Sequence, residues 1–133
     1  MITIQTQIEV STAVLGDVAI TAAEGGIGYW SRIEGGYDYT RWQPDSQYNA
    51  YIEGKADSAN IEVPDDFVFY TIEYENPVKF EPPMLSADIT PLLLAEGLGM
   101  LMRTQHVPDI EGMDSIAADM VVQYGVFGEL VFS

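Results

Sequence analysis

Three segments of the chain join a helix start signal to apolar residues at helical spacing, and they constrain the fold more than any other feature. Ser11 is a good N-cap, and Val14, Leu15, Val18, Ala19 and Ala22 follow on one face, which predicts a helix to about Glu24. Gly25 and Gly26 stop it, with a left-handed C-cap as the expected conformation. Thr90-Pro91 places a cap residue before proline at the first helical position, and this second helix should reach about Gln105, ahead of Pro108. Asp114 caps a third helix whose stripe is Met113, Ile116, Ala117, Met120, Val121 and Tyr124, with Gly125 and Gly128 as its breakers.

Between and around these helices the period changes to two. Residues 2–9 alternate and read as one strand. Residues 27–33, 37–42 and 47–53 read as short strands separated by turn residues, and "FVFYTIEYE" at 67–75 is β-branched and aromatic. Prolines make "ENPVKFEPPML" an extended connection, and "ELVFS" at the end reads as a short terminal strand. The fold class expected is α+β, with three helices on an antiparallel sheet of about four to six strands, in a single domain over residues 1–133.

Charge is the strongest compositional signal. Twenty-one acids against five bases give a net charge of −16. It is spread along the chain, with −2 in the first 33 residues, −8 over 34–81 and −6 over 82–133. A surface of this kind repels nucleic acid and anionic lipid and attracts basic partners. Direct nucleic-acid binding and membrane association are therefore not expected. Cysteine is absent, which removes disulfides and thiolate metal sites. The start alternates like a strand and lacks the basic, apolar-cored form of a signal peptide, so a cytoplasmic setting is expected.

The motifs exclude more chemistry than they suggest. Glu-Gly-Gly occurs twice, at 24–26 and 34–36, but the first pair of glycines follows a helix, whereas a phosphate loop precedes one. The first reads as a helix stop and the second as a hairpin turn. His106 is the sole histidine and reads as a helix-end residue. No EF-hand pattern, cofactor loop or nucleophile–base pair occurs, so no catalytic residue, metal ligand or cofactor is assigned.

Two sets of binding residues remain. Aromatics crowd residues 29–51, and Tyr29, Trp30, Tyr37 and Trp42 stand near Arg32 and Arg41, which are the best anion-contacting candidates. These rings serve equally as an interface, a core or a homodimer seam. The acidic set is Glu53, Asp57, Glu62, Asp65, Asp66, Glu73, Glu75 and Glu81, and on a strand Glu73 and Glu75 share one face.

"AITAAEGGIGYWS" (19–31) and "AADMVVQYGVFGELVFS" (117–133), together 30 of the 133 residues, resemble segments of small uncharacterised proteins encoded in bacteriophage genomes. In that group a helix ends in Glu-Gly-Gly-x-x-Tyr-Trp, and the chain closes with Ala-Asp-x-x-(Val/Leu)-Gln-x-x-x-Phe-Gly-Glu-x-Val. The resemblance implies a phage protein acting in the host bacterial cytoplasm. Together with the charge, it leads to the expectation of an acidic inhibitor, such as an anti-CRISPR or other anti-defence protein. Such an inhibitor binds the basic surface of a host nucleic-acid-handling protein, with carboxylates in place of phosphates. A binder that sequesters a small nucleotide signal and a small structural or assembly protein that self-associates are the alternatives.

Overall fold

The structure is a computed structural model that describes residues 2–4, 8–35, 63–78, 81–105, 110 and 112–133. Strands β1 (Ile2–Ile4) and β2 (Ile8–Val10) pair antiparallel, with Ile2 opposite Val10 and Ile4 opposite Ile8. The single strand expected over 2–9 is thus a hairpin. Alternation runs unbroken from Ile2 to Val10, and Gln5-Thr6-Gln7 contains none of the usual turn residues, so the pattern carries no mark of the reversal.

Helix α1 (Thr12–Gly25) starts where expected, with the Ser11 hydroxyl accepting from the Ala13 N–H at 3.1 Å. It buries Leu15, Val18, Ala19 and Ala22. Its C-cap differs from expectation: Gly26 has φ −106°, not a left-handed value. Glycine is needed there for space, because a Cβ at residue 26 would lie 2.7 Å from the Ser115 carbonyl oxygen.

Strands β3 (Ser31–Ile33), β4 (Tyr70–Glu75) and β5 (Met84–Ile89) form one antiparallel sheet in that order. Among the described residues the expected sheet of four to six strands is therefore this three-stranded sheet plus the separate β1–β2 hairpin. The segments 37–42 and 47–53 lie outside the described residues. Residues 27–30 form a turn rather than strand, held by Trp30 and Ser31 N–H groups donating to the Ile27 carbonyl. The proline-rich connection closes a hairpin, with Glu75 opposite Met84 and the Asn76 N–H on the Pro83 carbonyl at 2.9 Å. Strand β5 was not expected: "MLSADI" follows the prolines and lacks β-branched density, although Leu85, Ala87 and Ile89 alternate with Met84, Ser86 and Asp88.

Helix α2 (Pro91–Thr104) is capped by Thr90, and α3 (Ser115–Phe127) by Asp114, whose carboxylate accepts from the Ala117 N–H at 2.8 Å. Gly125 lies inside α3 rather than breaking it, and Gly128, at φ 77°, ends it in the left-handed conformation. The buried face of α3 is Ala118, Asp119, Val121, Val122 and Gln123. Of the expected stripe, Val121 is buried but Ile116 is 67% exposed. Two polar residues have taken core positions on a helix that is apolar nearly all round, and their hydrogen bonds explain why.

The inner face of the sheet presents Tyr70, Ile72 and Tyr74 to the core. The Tyr70 hydroxyl donates to the Ala19 carbonyl at 2.6 Å, tying β4 to α1. Tyr74 meets Trp30 and Phe127 edge-on, which ties the sheet to α3. No described helix is long and apolar enough to cross a membrane.

Candidate functional site

The turn after α1 sets Tyr29 and Trp30 against α3, and the two segments singled out at the ends of the sequence meet there. Trp30, 8% exposed, donates its indole N–H to Oδ1 of Asp119 at 2.8 Å. The Tyr29 hydroxyl donates to Oδ2 of the same carboxylate at 2.6 Å. Gln123, one helical turn on, places Nε2 3.0 Å from Asp119 Oδ1. Asp119 is 8% exposed, so three neutral donors converge on a nearly buried carboxylate, two on Oδ1 and one on Oδ2.

Gln123 also holds the end of the chain. Its Oε1 accepts from the N–H groups of Val131 (2.9 Å) and Phe132 (2.8 Å), and its Nε2 lies 3.2 Å from the Phe132 carbonyl oxygen. The side-chain amide thus does for Phe132 what a neighbouring strand would do. The terminal strand expected at 129–133 is absent for that reason: its backbone partner is a side chain, 1% exposed, not a ladder. Phe132 then stacks on Trp30, with ring centres 5.1 Å apart and planes 9° from parallel. Phe127 packs on both.

Beside this knot lies a groove of about 460 Å³. Tyr29, Ile116, Met120, Leu130 and Phe132 give it apolar walls, and Asp119 and Gln123 line it as well. Tyr29 is 56% exposed, and Ile116 and Leu130 are also exposed. Burial of its inner edge, and then the bond to Asp119, push the Tyr29 phenol up to about 12. Burial likewise raises Tyr70 and, less deeply set, Tyr74. No described group of three or more His, Cys, Asp or Glu could hold a metal ion.

The expected aromatic and basic corner separates in the structure. Trp30 is buried on the inner side, while Arg32 stands on the outer face of the sheet, ion-paired with Glu73 across the β3–β4 register. Tyr37, Arg41 and Trp42 lie outside the described residues, as do Glu53, Asp57 and Glu62 of the acidic set. Asp65 and Asp66 are exposed in the turn before Phe67, and Glu81 is exposed before β5. Glu73 and Glu75 do share the outer face of β4. Asp88 joins them from β5, opposite Thr71, whose hydroxyl bonds it at 2.7 Å.

Sequence reasoning missed Asp119 and Gln123 as site residues. Their spacing of four, in a helix otherwise rich in alanine and valine, was the available signal: polar side chains four apart share a helix face. No protein-family model, no curated protein and no solved structure matches the chain.

Proposed function

We propose that the chain is an acidic binding protein of the phage accessory kind, which inhibits a host nucleic-acid-handling or defence protein by covering its basic surface. One observation carries the reading. On the outer face of the sheet Glu73, Glu75 and Asp88 project to the same side, with Arg32 as the basic residue among them, in a chain of net charge −16. Residues two apart on a strand stand about 7 Å apart, so the face offers a short row of carboxylates to cationic side chains. Asp65, Asp66 and Glu81 are exposed as well. A nucleotide finds no cation among the described residues lining the groove.

The test is capture from a bacterial lysate on the immobilised protein. A nucleic-acid-binding host protein that elutes as salt rises and is displaced by duplex DNA supports the reading. Retention of the same protein by a Glu73→Gln, Glu75→Gln, Asp88→Asn triple variant, at unchanged salt dependence, contradicts it.

A further inference from the structure

The groove beside Tyr29 combines three features that the outer sheet face lacks. It is concave, its rim is apolar and exposed at Ile116 and Leu130, and a nearly buried carboxylate lines it. A carboxylate offers about four acceptor sites. Trp30 and Gln123 take two on Oδ1 of Asp119, and Tyr29 takes one on Oδ2, so among the described residues one site on Oδ2 stays open. All three donors are neutral, and no Lys, Arg or His stands among the described residues lining the groove. The charge of the carboxylate therefore has no counter-ion there. An apolar, aromatic-walled groove with an uncompensated acid suits one kind of visitor: an alkyl stem ending in a cation.

We propose that this groove receives an arginine side chain presented by the basic partner, with the stem against Ile116 and Leu130 and the guanidinium stacked on the Tyr29 ring and donating to the open site of Asp119 Oδ2, beside the Tyr29 hydroxyl. The occupant rests on the reading of a basic partner given above. Arginine fits better than lysine, because its planar, weakly hydrated head stacks on a ring while donating in plane to a carboxylate. Arginine is also the cation most enriched where interface energy concentrates. The dispersed acidic field brings such a partner in, and the groove supplies the short-range selection that a dispersed field lacks.

The experiment is an NMR titration of the full chain with octa-arginine amide, read at the indole N–H of Trp30, which bonds Asp119 directly. Trp30 and Trp42 are the only two tryptophans, so Trp42→Phe assigns the signal. The expected result is a saturable shift of the Trp30 indole, with affinity lowered about tenfold or more by Ile116→Lys. Val78→Lys, an equal charge change at an exposed residue outside the groove, should leave it within about twofold, as a non-contacting surface change does. Both substituted positions are exposed, so folding is not at issue. If the peptide shifts the amides of Glu73 and Glu75 but not the Trp30 indole, or if Ile116→Lys and Val78→Lys act alike, the groove proposal fails while the acidic binding reading stands. Absence of any shift overturns both. A dimer of the free protein that Ile116→Lys disperses would assign the groove to a second copy of this chain and overturn the arginine occupant.

Discussion

The Trp30 indole N–H donates to Oδ1 of Asp119 at 2.8 Å, across 89 residues of sequence. That one bond joins the turn after α1 to the middle of α3, and the Tyr29 hydroxyl reinforces the joint by donating to the same carboxylate and accepting from Gln123 Nε2. Both groups are nearly buried, so water is a poor substitute for either partner.

Asp119→Ala strips acceptors from a buried indole N–H and a buried amide together. The expected loss is about 3 kcal/mol, the scale of leaving buried polar groups unpaired. Urea unfolding measures it, and a loss below about 1 kcal/mol would show that the site relaxes to let water in.

Gln123→Met keeps the volume but removes the amide that holds Val131 and Phe132. Those two backbone N–H groups should then exchange with solvent far faster than in the parent, while amides of α2 keep their protection. The Trp30–Phe132 stack should loosen too, changing the near-ultraviolet circular dichroism. Unchanged exchange at Phe132 would mean that ring stacking alone holds the tail.

The α2–α3 contact depends on two absent side chains. A Cβ at Gly97 would lie 2.0 Å from the Val121 carbonyl oxygen, and one at Gly125 would lie 2.6 Å from that of Leu93. Gly97→Ala and Gly125→Ala should each cost about 2 kcal/mol or more through forced helix separation, despite alanine's better helix propensity. Gly28→Ala, with nothing within 4 Å of the added methyl, should be within about 0.5 kcal/mol of the parent. Chemical denaturation of the three variants checks the contrast.

Alkali should unfold the protein through its tyrosines. Folding holds the Tyr29 phenol at about 12 against an ordinary value near 10, and it raises Tyr70 and Tyr74 in the same direction. A raised folded value favours the protonated form, so this stability is fully present below pH 10 and is lost as pH climbs through about 12. Urea midpoints taken across that window should fall, and Tyr29→Phe should fall less steeply. Equal slopes for the two proteins would mean that Tyr29 titrates alike in the folded and unfolded chains.

Local signals made the helices legible. Ser11, Thr90-Pro91 and Asp114 are caps whose chemistry acts within three residues, and all three helices start where those residues place them. The face of α3 was not legible. Ala, Val and Met surround that helix, so periodicity could not choose between Ile116 outside and Asp119 inside; hydrogen bonds to Tyr29 and Trp30, distant in sequence, made the choice. Strand β5 had only a weak local signal, the alternation of Leu85, Ala87 and Ile89, and its place is fixed by pairing with the β-branched and aromatic β4. The acidic face was half legible. Alternation put Glu73 with Glu75, but only the register of β5 brings Asp88 beside them, and only that of β3 sets Arg32 against Glu73. Tyr29 and Trp30, for which the sequence left interface and core equally open, have opposite fates: one edges the groove and the other closes the core.

The most direct measurement is the affinity of a host protein captured from lysate, purified and titrated against the wild type and the Glu73→Gln, Glu75→Gln, Asp88→Asn variant at about 50 and about 200 mM salt. Binding through an acidic face should weaken steeply with salt in the wild type, with a shallower slope and lower affinity in the variant. An affinity indifferent both to salt and to the three neutralised carboxylates would contradict the account.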